Sequence, residues 1–282
     1  MSLSIDRHAD ARTFLARAGA WLMRAEAEHN LVLGLVYALV QGRGNVEQPV
    51  YLATVQDGPD VVGCAFRTPP YKIGITRMPI GAIPALVEDV AGVYDALPAV
   101  LGPEAETLAF AETWARRQGV RAEEGTRQRI YQLERVIPPA RVPPGHFQLA
   151  QRRHTELVAE WIRAFAREAH MEEMRAEQIA ADRIAAKAMF LWLDPEPVAM
   201  AGWSGRSPNG IRVGPVYTPP GLRGRGYASA LVAAASQRAL DSGVGLCFLY
   251  TDLGNPVSNA IYQRLGYEPV CDVLDRVFVS SV

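Results

Sequence analysis

The sequence predicts an α+β protein with a mixed sheet, divided into two domains along a chain of 282 residues. Three observations predict it. Apolar runs of strand length alternate with segments whose apolar residues recur three and four apart, so strands and helices share the chain. One run, Arg212 to Tyr217, passes through a glycine-rich turn into an alanine-rich helix. Finally, Ile137-Pro138-Pro139-Ala140-Arg141-Val142-Pro143-Pro144-Gly145 interrupts every periodic pattern. Paired prolines cannot continue a helix or a sheet, so this stretch reads as a stiff linker between residues 1–140 and 145–282. Each side then has the size of one domain, and the 49% apolar content can fill both cores.

Taken in order, the first half opens on an apolar window, Leu31 to Val40, which is half the ~20 residues needed to span a bilayer and reads as a core helix. Gly42-Arg43-Gly44 follows without a strand before it and reads as a loop. Strands are expected at 51–55, 61–66 and 72–76 around the Asp57-Gly58-Pro59 turn, then a helix over 108–118 and a strand over 129–134. The second half predicts a short strand at 147–150, an amphipathic helix at 156–165 and a helix near 176–186. Two strands, 189–193 and 197–203, are joined by the Asp194-Pro195-Glu196 turn, and 212–217 is the strand before the glycine turn. Leu246 to Thr251 is an unbroken apolar run, as in a strand buried on both faces. Asn255 as N-cap and Pro256 at the first helical position start a helix that Gly266 stops, and 271–279 closes the sheet.

The turn Thr218-Pro219-Pro220-Gly221-Leu222-Arg223-Gly224-Arg225-Gly226-Tyr227-Ala228 has the makings of an anion cradle. Glycines let the backbone come close to a ligand, and the first N–H groups of the following helix lack intrahelical partners, so they and the dipole favour a phosphate. A nucleotide-hydrolase loop would end in Gly-Lys-Ser/Thr, and Arg225-Gly226-Tyr227 does not. Read as a dinucleotide fingerprint, the turn puts Ser229 where a third glycine-like residue is wanted.

Arg223-Gly224-Arg225-Gly226-Tyr227-Ala228 closely resembles the acyl-CoA pyrophosphate loop of the GCN5-related N-acetyltransferase (GNAT) superfamily, Arg/Gln-x-x-Gly-x-Gly/Ala. The stretch Asn255 to Tyr267 is similar to the superfamily's second signature, with Ser258 in place of Ala and Arg264 in place of Lys. The order of expected elements in the second half, strand, two helices, three strands, helix, strand, helix, strand, is that of the same superfamily. In the first half the element order echoes this faintly, but Pro79-Ile80-Gly81-Ala82-Ile83-Pro84 stands where the loop should be. That half therefore reads as a degenerate GNAT-like domain without cofactor binding, or as an unrelated mixed cap.

The resemblance implies acetyl transfer from acetyl-CoA, as acyl-donor cosubstrate, to a small-molecule or peptide primary amine by direct attack in a ternary complex. Backbone around Arg223, Gly224, Arg225, Gly226, Tyr227 and Ala228 would hold the pyrophosphate, and Val216, Tyr217 and Thr218 would lie along the thioester end, where a strand N–H stabilises the developing oxyanion. Asn255 and Ser258 would meet the CoA arm, although Asn255 serves equally as a helix cap. Tyr262 matches the phenol that protonates the leaving thiolate; its other role is a core aromatic beside Ile261 and Leu265. The general base is not evident, since the strand before the loop carries Arg212, Val213 and Gly214 where the family often has Glu. Glu168 and Glu172, four apart between the first two helices, are the candidates, with His170 weaker and water-mediated deprotonation open. A sensor that binds acyl-CoA without turning it over is the alternative reading.

Charge and cysteine usage exclude other classes. A net charge of -1 without a block of one sign argues against a nucleic-acid or membrane-surface binder. Cys64, Cys247 and Cys271 are odd in number, widely spaced and unclustered with the five histidines, so neither a disulfide framework nor a metal site is expected. With no apolar segment of signal-peptide shape at the start, a cytoplasmic protein is expected, with a homodimer left open.

Overall fold

In the computed structural model, residues 3–43, 49–169 and 175–280 are described. Their elements run in chain order as follows. Strand β1 (Leu3–Arg7) leads to helices α1 (Ala11–Leu22) and α2 (Asn30–Val40), then to β2 (Tyr51–Asp57), β3 (Asp60–Arg67) and β4 (Ile73–Ile75). Helix α3 (Ile83–Ala91), strand β5 (Ala99–Gly102), helix α4 (Glu104–Gln118) and strand β6 (Val120–Leu133) follow. Then come β7 (His146–Leu149), α5 (Thr155–Glu168), α6 (Ala176–Ala185), β8 (Met189–Leu193), β9 (Pro197–Ser204) and β10 (Gly210–Tyr217). Helix α7 (Tyr227–Asp241), strand β11 (Leu246–Asp252), helix α8 (Pro256–Arg264) and strand β12 (Glu268–Ser280) complete the chain.

The packing divides these elements into two compact units. The first comprises Met1–Ile130, Thr251–Gly254 and Val270–Val282, the second Tyr131–Tyr250 and Asn255–Pro269. Neither is contiguous, so the proline-rich segment 137–145 lies inside the second unit and the last strand returns to the first.

The first unit has strand order β1-β2-β3-β4-β5-β12-β6. Its hairpin β2–β3 turns at Gly58, whose φ of +59° is the left-handed backbone such a turn requires. The apolar window expected as a core helix is α2, with Val32, Leu33 and Val36 buried against Phe14 and Leu22 of α1. Asp10 starts α1 by accepting from the backbone N–H groups of Arg12 and Thr13, both at 2.8 Å. Strand β4 pairs in parallel with β5, and a 3-10 turn, Ile80–Ala82, leads from β4 to α3.

The second unit has strand order β11-β10-β9-β8-β7. Helices α5 and α6 lie on one face, where Val158, Trp161, Ile162 and Ala180 pack on Met189, Leu191, Met200 and Tyr217. Helix α7 covers the other through Ala230, Leu231 and Ala235 against Phe190, Ala199 and Ala201. Helix α8 seals that face beside it, with Tyr262 and Leu265 in a cluster with Val213, Val232, Cys247 and Leu249. The end of β6 belongs to the same cluster: Tyr131 and Leu133 are buried there, the Tyr131 hydroxyl donates to Asn259 Oδ1 at 3.0 Å, and Ile137 N–H bonds Leu265 O at 2.9 Å. A fragment that began at Pro144 would lose Tyr131 and Leu133 from its core, each worth about 2–5 kcal/mol when truncated. Such a fragment is therefore expected not to fold, and a cooperative thermal transition from it would refute the dependence on β6.

Candidate functional site

Strand β10 is the centre of the site. Its parallel ladder with β11 holds for three pairs, Gly210↔Leu246 to Arg212↔Phe248, and past them the two strands share no further register. On the other side its antiparallel ladder with β9 slips: Val213 faces Trp203, but the next pair is Val216 with Ala201. Two residues, Gly214 and Pro215, therefore stand opposite the single Gly202, which is a β-bulge, and Gly-Pro inside a strand is its sequence signal.

Beyond Tyr217 the chain makes a 3-10 turn, Pro220–Leu222, and reaches α7 through Gly224 at φ +77° and Gly226 at φ +88°. Left-handed backbone at both points is what glycine allows. An added Cβ at Gly224 would meet nothing within 4 Å, so that side of the loop is open to a ligand. No side chain caps the start of α7. The first bond at this end runs from Ala230 N–H to Gly226 O, which leaves the earlier N–H groups of the helix without intrahelical acceptors. Thr218 Oγ1, just before the turn, is enclosed without a hydrogen-bond partner. Uncapped N–H groups, the positive end of the dipole and an orphaned hydroxyl fit an anionic ligand such as the pyrophosphate of a CoA ester.

The side chains of the loop serve mainly to hold it. Arg223 donates through Nε to Thr218 O at 2.8 Å and through Nη2 to both oxygens of Glu168, at 2.8 and 2.7 Å, while its guanidinium lies 5.7 Å from the Tyr217 ring centre. Arg225 bonds Gly221 O at 3.2 Å. The Tyr227 hydroxyl donates to Asp194 Oδ2 at 2.5 Å in the β8–β9 turn, so this residue offers a ligand its backbone only. Of the two carboxylates singled out in the sequence, Glu168 ends α5 and is held by Arg223, and Glu172, with His170, lies outside the described residues. Both partners of the Glu168–Arg223 pair are about half exposed, and exposed pairs contribute about 0–1 kcal/mol. Glu168→Gln is thus expected to leave the melting temperature nearly unchanged while loosening the loop, detectable as faster amide exchange at Arg223 to Gly226; unaltered exchange would deny the pair that holding role.

At the start of α8, Asn255 Oδ1 accepts from Ser258 N–H at 3.1 Å, and Asn255 O accepts from the Asn259 N–H and Nδ2. Asn255 is thus the helix cap. Tyr262 is 9% exposed, with its ring edge-on to Tyr267 at 5.9 Å. Its hydroxyl makes no hydrogen bond among the described residues, and it is not one of the polar atoms sealed from solvent. Burial pushes its phenol up to about 12. The Tyr217 phenol is also raised, by burial first and then by Glu168.

Two contacts of this site were not legible in the sequence, that of Arg183 and the burial of Arg212 against Tyr250. Arg183 of α6 donates through Nη1 to Gly214 O, in the bulge, at 3.0 Å. Arg212 lies with its guanidinium 5.9 Å from the Tyr250 ring centre, and burial lowers its pKa. A lone arginine in an alanine-rich helix carries no mark of such a reach. Among the described residues no group of three or more His, Cys, Asp or Glu is placed to hold a metal ion, and no helix is long and apolar enough to cross a membrane.

Residues 155–267 match the family model described as acetyltransferase (GNAT) family. A mycothiol acetyltransferase of Catenulispora acidiphila is 28% identical over 152 residues, an alignment covering 46% of this chain and 46% of that protein, so the chain spans about half the length of this curated relative. A GCN5-related N-acetyltransferase from Sphaerobacter thermophilus is similar in structure, with a TM-score of 0.63 at 17% identity over 97% of this chain and 94% of the other. A tandem GNAT protein from the clavulanic acid biosynthesis pathway gives a TM-score of 0.57 at 14% identity over 98% of each chain. At these identities the structural likenesses concern the fold, and they extend over both units.

Proposed function

We propose that the chain, whose residues 155–267 match the acetyltransferase (GNAT) family model, transfers an acetyl group from acetyl-CoA to a primary amine by direct attack in a ternary complex. The observation that carries this reading is the uncapped, glycine-led start of α7 beside the end of β10, where its register with β11 has stopped. Backbone N–H groups from Gly224 to Ala228 would hold the pyrophosphate, the Arg223 N–H being taken by Pro220 O at 3.3 Å, with Thr218 Oγ1 as a further donor. With its Oδ1 spent on the cap, the Asn255 Nδ2 and the Ser258 hydroxyl are the groups α8 would offer the CoA arm.

Bound acetyl-CoA supplies the activated acyl group. As the amine nitrogen bonds to the thioester carbon, an N–H of Val216 or Tyr217, past the bulge, would receive the negative charge developing on the carbonyl oxygen. The Tyr262 hydroxyl would give its proton to sulfur as the carbon–sulfur bond breaks, and a phenol held protonated by burial is ready for that role across neutral pH. The amine proton would leave through water or a carboxylate, because β10 carries none and Glu168 is engaged by Arg223. That engagement is also what supports the second reading, an acyl-CoA sensor without turnover. It bears on the acceptor as well, since only Glu172 would then be left to favour a cationic amine.

The first unit would hold no cofactor. Its connection from β4 to α3, residues 76–82, is two residues shorter than 218–226 and has no glycine of positive φ, and the Met78 N–H is already taken by the buried Glu106 carboxylate at 3.3 Å. The test is release of free CoA thiol across a panel of amines, amino acids, aminoglycosides and peptides. Thiol release with a matching N-acetyl product supports the enzyme; tight acetyl-CoA binding with no release from any acceptor would favour the sensor.

A further inference from the structure

The bulge in β10 needs support that the β9 ladder no longer gives. Between the pairs Val213↔Trp203 and Val216↔Ala201, the backbone of Gly214 and Pro215 has lost its regular partners, and the Gly214 carbonyl needs another donor. Pro215 has no N–H to satisfy, and Gly214, at φ +149°, adopts a backbone in which a side chain would be strained. The donor is Arg183, whose Nη1 lies 3.0 Å from Gly214 O.

Its path depends on Gly202, the one β9 residue opposite the bulge. An added Cβ there would stand 3.2 Å from Arg183 Nη1, 3.1 Å from Met189 Cε and 3.3 Å from Ala188 O. The segment after Arg183 is fixed as well: Ala188 N–H bonds Arg183 O and Trp203 N–H bonds Ala188 O, both at 2.8 Å. The backbone that carries the side chain is therefore tied to the neighbouring strand, and the charge of the guanidinium strengthens its bond to the carbonyl.

We infer that Arg183 is a positioning residue for acyl transfer: by fixing the Gly214 carbonyl through the gap left by Gly202, it orients the bulge so that the β10 N–H at Val216 or Tyr217 meets the thioester oxygen. The inference rests on the acetyl-CoA reading above. An oxyanion donor acts only when aimed at the oxygen, so a bulge free to rock would retain ligand affinity and lose carbonyl polarisation.

The experiment needs no knowledge of the acceptor. Acetyl-CoA labelled with carbon-13 at the carbonyl is bound to the full-length protein, its affinity is measured by calorimetry, and the carbonyl resonance is compared with that of the free thioester. In the wild type a hydrogen bond to the carbonyl oxygen displaces the resonance downfield. Arg183→Met is expected to bind with nearly unchanged affinity and to lose most of the displacement, with Arg183→Lys restoring part of it. Gly202→Ala, which leaves Arg183 in place but crowds its guanidinium, should lose displacement in the same way and guards against an Arg183→Met protein that does not fold. A full displacement in folded Arg183→Met or in Gly202→Ala would overturn the positioning role, as would a wild type that binds without displacement. Failure of the wild type to bind acetyl-CoA at all would instead remove the reading on which the inference stands.

Discussion

Gly226→Val is expected to weaken acetyl-CoA binding at least ~100-fold, or ~2.7 kcal/mol, while the protein remains folded. Gly226 sits at φ +88° as the residue before α7, a backbone that a β-branched side chain resists. The space itself is not the obstacle, because a Cβ there would meet Pro143 Cδ at an ordinary 3.8 Å. Valine would thus act by pulling the backbone toward negative φ, which turns the first N–H groups of α7 away from a common focus. Those groups are the ones no side chain caps, so the loss falls on the ligand rather than on the core. Calorimetry with acetyl-CoA, beside a thermal melt, reads both quantities. Unchanged affinity in a folded variant would mean that the loop does not hold the cofactor.

How much of this was legible in the sequence depends on how local each feature is. The loop and the α8 start could be read because turn glycines, an Asn cap and a first-turn proline act within a few residues. The apolar runs of β8 and β9 either side of the Asp194-Pro195-Glu196 turn and the amphipathic face of α5 were visible for the same reason. Four elements of the first unit were not foreseen. Strand β1 is a half-exposed edge of five residues, α1 is rich in alanine rather than in a clear apolar stripe, α3 starts beside Pro84, and β5 is four residues between Pro98 and Pro103. Each owes its form to packing against distant chain, as β5 does by pairing with both β4 and β12. The unit boundaries were hidden similarly: paired prolines mark a local break, whereas the return of β12 to the first unit is a property of strand pairing. In the site, Glu168 and Arg223 were each visible, but their bond spans 55 residues, and no periodicity reports it.

Tyr262→Phe is expected to lower turnover by ~10- to 1000-fold and to change little else. The substitution keeps the ring that packs with Val213, Val232 and Leu265 and lies edge-on to Tyr267, so the core of the second unit is conserved. Its hydroxyl bonds nothing among the described residues, so deletion orphans no buried partner, and the usual penalty for removing half of a hydrogen bond does not arise. Acetyl-CoA affinity should stay the same, which separates a proton donor from a residue that shapes the cofactor slot. The pH profile gives a second check. With the folded phenol at about 12 against an ordinary 10, the donor stays protonated through the neutral and mildly alkaline range, so turnover should show no alkaline fall from this group below about pH 11. The same shift favours the folded protein below pH 10 and withdraws that support as pH rises from 10 to about 12, because the unfolded chain ionises first; Tyr262→Phe should flatten this part of the stability curve. Wild-type turnover in the phenylalanine variant would return Tyr262 to a packing role and leave the thiolate to be protonated by water.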